Sequence, residues 1–171
     1  MPAEGSANRR YAAVVGPARC DDELAGVARE VGRGLAASGF TVVTGGEGGT
    51  MEAASRGAHE AGGTVVGVLP GTDRSRANLY ADITVVTGIG HARNLAVAAS
   101  ADVVVAVGGE WGTLSEIALG GAIGRPVVML AGWRLEHAGG FPAGGLHYAD
   151  SAAEAVALAS RLAGQGASHD T

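Results

Sequence analysis

Aromatic residues are scarce in this chain, at 4% of 171 positions, although hydrophobic residues make up 47%. A core of packed rings is therefore excluded, and Val, Ala, Leu and Ile must fill the interior. Cysteine is rarer still. The single Cys20 rules out an intrachain disulfide and a cysteine-rich metal site, and it fits a reducing compartment. No His/Cys/Asp group has metal-ligand spacing either. A basic cluster is also missing, and the net charge is −5. Composition thus gives no support for binding a nucleic-acid backbone, and no nucleic-acid partner is expected. No run is apolar for long enough to span a bilayer, and residues 1–10 lack the apolar stretch of a secretion signal. No membrane partner is expected, and the cytoplasm is the default localisation.

Glycine, by contrast, is abundant, with 30 residues. It shows neither a three-residue period nor a low-complexity block, so the composition is neither collagen-like nor disordered. The length favours one domain, long enough to bury a core without metal or disulfide staples. We place that domain at residues 11–164, between a flexible start (1–10) and a flexible tail (165–171).

Apolar runs and helical periodicities alternate along the domain. Residues 11–15, 40–44, 64–69, 83–86, 102–107 and 126–130 read as strands. The run at 102–107 is apolar almost throughout, as in a parallel strand covered on both faces. Leu24, Val27, Ala28, Val31 and Leu35 recur at helical spacing after a cap at Asp21 or Asp22, with Gly39 as the stop. Further helices are expected over 50–61, 91–100 and 113–123, and a last one runs to about residue 163 after a cap at Ser151. Residues 72–81 and 131–149 read as irregular. This alternation predicts an α/β fold, Rossmann-like, with a single doubly wound, mostly parallel sheet and helices on both faces. Ligands of such folds sit at the carboxyl ends of the strands.

Two of those strand ends share one chemistry. Gly45-Gly46-Glu47-Gly48-Gly49-Thr50 and Gly108-Gly109-Glu110-Trp111-Gly112-Thr113 each leave a strand and open a helix. A helix start carries unpaired N–H groups and partial positive charge. Glycine lets an anion approach those groups, and Thr50 and Thr113 stand where a hydroxyl can add a hydrogen bond. One such turn is explained by tight-turn geometry alone, whereas two of them predict a phosphate-bearing guest. Neither turn has the lysine of a P-loop, and Gly16-Pro17-Ala18-Arg19 after the first strand is not the dinucleotide fingerprint.

Charged and polar residues flank the turns. Glu116 has two readings. It closes a capping box, Thr113-Leu114-Ser115-Glu116, or it is a functional carboxylate kept ionised by the helix start. Arg93, flanked by small apolar residues, needs an anion: either a structural carboxylate or a phosphate matched to its forked donors. Asn94 could orient a ligand or bond the backbone, and His91 could serve acid–base chemistry. Glu47, Glu52 and Glu110 read as exposed. Trp111 could stack on a ring or simply cover its loop, and Cys20 reads as structural. The helices at 93–100 and 113–124 are small and apolar nearly all round. They are therefore buried on more than one side, and a homo-oligomer packed through them, a dimer or higher, is expected.

Four blocks occur in order: Val43-Thr44-Gly45-Gly46-Glu47-Gly48-Gly49-Thr50-Met51, Gly67-Val68-Leu69-Pro70-Gly71, Thr87-Gly88-Ile89-Gly90-His91-Ala92-Arg93-Asn94, and Gly108-Gly109-Glu110-Trp111-Gly112-Thr113-Leu114-Ser115-Glu116. Together they resemble the LOG-like superfamily of Rossmann-type proteins, in the branch of the molybdenum cofactor carrier proteins and related bacterial proteins. The resemblance implies two functional models. LOG enzymes are phosphoribohydrolases that need no cofactor; they cut the N-glycosidic bond of a nucleoside 5′-monophosphate and release free base and ribose 5-phosphate. Their catalytic pair falls on Arg93 and Glu116. Ligand binding falls on Gly45, Gly46, Gly48, Gly49, Thr50, Met51, Asn94, Gly108, Gly109, Trp111, Gly112 and Thr113. The second model is a non-enzymatic carrier or sensor that holds the phosphate of the molybdenum cofactor at the same turns. The chain departs from the LOG pattern at Val107, where those enzymes carry proline, and at Asn94, where they carry lysine. Hydrolysis is the leading expectation and the carrier is the alternative.

Overall fold

The computed structural model describes residues 9–140 and 145–165. Seven strands form one sheet: β1 (Arg10–Val15), β2 (Phe40–Thr44), β3 (Val65–Leu69), β4 (Ile83–Val86), β5 (Val103–Val107), β6 (Val127–Leu130) and β7 (Leu146–Ala149). They lie in the order β4-β3-β2-β1-β5-β6-β7, and every neighbouring pair is parallel. Five α-helices are present among the described residues: α1 (Asp22–Ala37), α2 (Thr50–Glu60), α3 (Arg93–Ala99), α4 (Trp111–Ala122) and α5 (Ala152–Ala163). None is long and apolar enough to cross a membrane.

The two-residue period of the strands builds two cores. Ala12 and Val14 of β1, with Val103, Val105 and Val107 of β5, pack against α1, α2 and α5 through residues such as Val31, Leu35, Ala54 and Ala159. Their neighbours in sequence, Ala13, Val15, Val104 and Ala106, face the other way, onto Val97 and Ala98 of α3 and Ile117 of α4. Both faces of the sheet are covered, which is why β5 can be Val-Val-Val-Ala-Val and buried at every position.

The helix punctuation follows from single residues. Asp21 caps α1 by accepting from the Leu24 N–H at 2.9 Å, and Ser151 caps α5 by accepting from the Glu154 N–H at 3.1 Å. Gly39, with φ of 85°, takes the left-handed turn that ends α1. The helix expected over 91–100 is shorter, because Gly90–Ala92 forms a 3-10 turn before α3. The stretch 131–149 is not irregular throughout: its end forms β7. Leu-His-Tyr-Ala is short, mixed in polarity and half-buried on the sheet edge, so it shows neither a long apolar run nor alternation. The flexible ends expected from the sequence fall mostly outside the described residues, and Arg10 already belongs to β1.

Helices α1 and α2 approach so closely that a Cβ on Gly57 would meet the carbonyl oxygen of Arg29, and one on Gly32 that of Ala54. Gly26, also in α1, has nothing within 4 Å of its would-be Cβ. Alanine is the better helix former by about 1 kcal/mol, so the two positions separate propensity from packing. Gly26→Ala should raise the unfolding free energy by about 0.5–1 kcal/mol, and Gly57→Ala should lower it by about 2 kcal/mol or more, because backbone cannot yield as a side chain can. Urea denaturation measures both, and a gain in stability from Gly57→Ala would contradict the packing.

Candidate functional site

The strand order reverses between β1 and β5. The chain leaves β1 toward α1 on one face and leaves β5 toward α4 on the other, which opens a crevice between their carboxyl ends. A cleft of about 240 Å³ lies at this point. Its walls are Gly16, Pro17 and Ala18 after β1, Glu47 and Met51 after β2, His91, Arg93 and Asn94 at the start of α3, and Glu110, Gly112, Thr113 and Glu116 around the start of α4. Blocks far apart in sequence therefore meet at one place.

The two glycine turns, alike in sequence, are each tied to the protein at a few points and each leave several N–H groups unpaired among the described residues. The first is tied in at Gly46 and Thr50, while the N–H groups of Glu47, Gly48 and Gly49 have no protein acceptor among the described residues. Gly46 N–H donates to Thr44 Oγ1 at 3.1 Å, Thr50 N–H donates to the Pro17 carbonyl at 3.0 Å, and the Gly46 carbonyl accepts from Asn78 N–H at 2.8 Å. In the second, the N–H groups of Gly109, Glu110, Trp111, Gly112 and Thr113 have no protein acceptor among the described residues, and the first bond of α4 runs from Leu114 N–H to the Glu110 carbonyl. Thr113 is 2% exposed, lines the cleft, and its hydroxyl has no partner. The Thr50 hydroxyl is also buried and unpartnered, but Thr50 does not line the cleft.

Arg93 is buried, and protein groups take up most of its donors. Nη1 donates to the carbonyls of Gly45 and Val68, the latter at 2.7 Å. Nε donates to Asn94 Oδ1 at 3.0 Å, and Nη2 meets Glu47 Oε2 at 3.1 Å. Asn94 in turn donates to Ser115 Oγ at 2.9 Å, and Ser115 donates to the Gly112 carbonyl at 2.6 Å. Of the two readings of Arg93, the geometry displays a structural carboxylate, Glu47, which the sequence placed among exposed residues. It was missed because nothing local marks a partner lying 46 positions away. Asn94 bonds side chains rather than backbone. A lysine there has no acceptor to offer Arg93 Nε.

The capping box at Thr113-Leu114-Ser115-Glu116 does not form. Helix α4 starts at Trp111 with Glu110 as N-cap and no side-chain cap bond. Glu116 therefore lies beyond the first turn, where the helix dipole has little hold on it. Its side chain has no hydrogen-bond partner among the described residues and is 6% exposed. Burial pushes its carboxyl up to about 7, and the Arg93 guanidinium offsets only part of that rise. The expectation of a firmly ionised carboxylate is thus reversed by desolvation. Of the other residues singled out, His91 and Glu110 are exposed at the cleft. Cys20, half-buried, lies instead in a separate cleft of about 470 Å³ that includes Arg29, Glu52, Arg56 and Tyr80. Trp111 is 79% exposed.

The chain as a whole matches known proteins. A model of the SLOG cluster4 family fits residues 9–158. The chain belongs to this family. It is 42% identical over 117 residues to an uncharacterized protein of Archaeoglobus fulgidus, a match covering 68% of this chain and 77% of that one. The structure of the molybdenum cofactor carrier protein of Chlamydomonas reinhardtii aligns at a TM-score of 0.81 with 34% identity, over 91% of this chain and 98% of that one. That of the molybdenum cofactor binding protein of the phototrophic bacterium Rippkaea orientalis aligns at 0.80 with 32% identity, over 90% and 96%. The LOG-like resemblance read from the four blocks holds, and so does the branch.

In this SLOG cluster4 protein the buried carboxyl couples stability to pH. The folded state keeps the Glu116 proton up to about pH 7, whereas the ordinary carboxyl loses it near 4.5. The folded state thus binds more protons between those values, and stability must fall as pH rises through the window and level off above it. Glu116→Gln should remove this slope and should be more stable than the parent by a few kcal/mol above about pH 7, with no gain below about pH 4. Denaturation across the pH range measures the difference, and parallel profiles would contradict a desolvated Glu116.

Proposed function

We propose that this protein binds the phosphate of a small phosphorylated molecule at the start of α4 and carries a ligand of the molybdenum-cofactor type. The observation that supports this is the run of unpaired N–H groups from Gly109 to Thr113 beside the buried, unpartnered Thr113 hydroxyl. A helix N-terminus with free donors favours a phosphate through both hydrogen bonds and dipole. Gly108, Gly109, Trp111, Gly112 and Thr113 are the binding residues of this reading. Gly45, Gly46, Gly48, Gly49, Thr50 and Met51 form the opposite turn, and Asn94 holds Arg93. The likeness to two proteins named for the molybdenum cofactor supports the choice of cargo.

The donor set fits a single phosphate. Glu47, Glu110 and Glu116 line the rest of the cleft, so a second strongly anionic group gains little there. Among the described residues, no group of His, Cys, Asp and Glu is placed to hold a metal ion. In this reading the cofactor is gripped by its phosphate tail, and its metal keeps its chemistry for the enzyme that receives it.

A second reading, hydrolysis of a nucleoside 5′-monophosphate, is favoured by one observation. Glu116 shares the cleft with the phosphate donors and titrates near 7, where a carboxyl can exchange a proton during catalysis. Such a carboxylate also suits an oxocarbenium-like transition state. A homo-oligomer packed through α3 and α4 belongs to both readings. Leu95 is 43% exposed and Ile123 41%, and light scattering measures the assembly.

Thr113→Val tests the phosphate site with two opposite signs. Removing an unpartnered buried hydroxyl should leave the fold as stable or more stable by about 1 kcal/mol, while affinity for inorganic phosphate and ribose 5-phosphate falls about five-fold or more. Calorimetry and thermal unfolding read the two effects. Unchanged phosphate affinity in the variant would remove the α4 site. Co-elution of molybdenum and pterin with the protein, after anoxic incubation with released cofactor, is the outcome expected of a carrier. Release of free base from a nucleoside 5′-monophosphate, lost in Glu116→Gln, would instead establish the hydrolase.

A further inference from the structure

Trp111 is the first residue of α4, and most of its ring area faces solvent. So large an apolar ring left open beside unpaired donors is not explained by packing. Its one ring neighbour among the described residues is Trp133, with ring centroids 5.6 Å apart and planes tilted by 46°. Trp133 is held firmly. Its indole N–H donates to the Glu110 carbonyl at 3.3 Å, and it lies so close to Gly109 that a Cβ there would come within 2.6 Å of the ring. The chain adopts a left-handed conformation at Ala131, with φ of 53°, just before Gly132 sits down on the Gly108 carbonyl. A non-glycine residue adopts that conformation only at some cost. The aromatic pair is therefore built onto the phosphate turn.

We infer that Trp111, backed by Trp133, is a stacking platform for a flat heteroaromatic ring carried by the phosphorylated ligand. The inference rests on the phosphate reading above and adds to it the ring at the other end of the molecule. Glu110 and Gly112, on either side of Trp111, line the cleft together with Thr113. Trp133 lines a neighbouring cleft of about 290 Å³ beyond β6 and β7. Neither tryptophan is a wall of the Thr113 cleft, but Trp111 stands between two residues that are, so a ligand with its phosphate at Thr113 and its ring outside the cleft would meet it. Stacking tolerates any flat ring, because each presents a π-face. A purine and a pterin both qualify, and a bare sugar phosphate does not.

The two tryptophans are the only ones in the chain, so intrinsic tryptophan emission reports on this platform alone. Ribose 5-phosphate, adenosine 5′-monophosphate and a pterin monophosphate would be titrated into the full chain by calorimetry, with emission followed for the first two and chromatography checking that the nucleotide stays intact. The expected result is that at least one ring-bearing ligand binds about ten-fold or more tightly than ribose 5-phosphate. Emission should change with the nucleotide and not with the sugar phosphate if the purine is the preferred ring. The advantage, taken as the ratio of each ring-bearing ligand's affinity to that of ribose 5-phosphate in the same variant, should vanish in Trp111→Ala and return in Trp111→Phe. Equal affinity for all three ligands, or an advantage that survives in Trp111→Ala, would overturn the platform while leaving the phosphate site standing. So would a Trp111→Ala variant whose only change is its oligomeric state, which would mark Trp111 as a subunit contact. Loss of ribose 5-phosphate binding in Thr113→Val tests the phosphate site separately, and failure of every phosphate to bind the parent would remove both.

Discussion

One buried cation organises the cleft end of this fold. A guanidinium withdrawn from water must be met by acceptors on nearly every side, or the structure bears the full cost of desolvation. Arg93 finds them in the carbonyls of Gly45 and Val68, in Glu47 and in Asn94. These belong to the turn after β2, to β3 and to α3, and Asn94 continues the chain of bonds to Ser115 in α4. The requirement reaches back into the sequence at Gly45, where a Cβ would stand 2.5 Å from both Arg93 Nη1 and Met51 Sδ. What reads as a flexible glycine is a position emptied to let an arginine in.

That commitment decides the character of the cleft. The first glycine turn gives Arg93 a carbonyl and Pro17 a donor, and the turn before α4 sets free donors beside a buried, unpartnered hydroxyl that lines the cleft. The charges divide in the same way: Arg93 is balanced by Glu47 at close range, and Glu116, deeper in the cleft, is left with a weaker share of its field. Within an approximate symmetry of sequence lies one difference: the first turn braces Arg93, and the second places an unpartnered hydroxyl, that of Thr113, in the cleft.

The alternation of strands and helices, the doubly wound sheet and the strand-end location of the motifs were all legible, because apolar periodicity reports burial directly. The side-chain caps of α1 and α5 were legible because they are local, the first to within the pair Asp21 and Asp22. Three features were not. The strand β7 is four residues long and lies on an edge, with too little burial to leave a pattern. The pairing of Arg93 with Glu47 depends on where two distant loops meet. The state of Glu116 depends on solvent exclusion by residues from several elements, and its sequence neighbours pointed to a capping box that the actual start of α4 makes impossible. The same limit hid the difference between the two turns, whose residues are nearly the same and whose surroundings are not.

The seam between β1 and β5 carries a kinetic consequence. Tyr11 and Asp102, bonded across that seam, are separated by 91 positions, and β1 also pairs with β2 immediately after the first crossover. The sheet can therefore grow outward through β2, β3 and β4 from contacts of moderate span, whereas joining β1 to β5 requires closure of a much longer loop. The crevice at the strand ends does not exist until that closure is made. A nascent or partly refolded chain would hold its first glycine turn long before it had a complete binding cleft. Ligand capture in such a topology is a property of the finished sheet, and a guest bound there would act as a latch on the closure between β1 and β5.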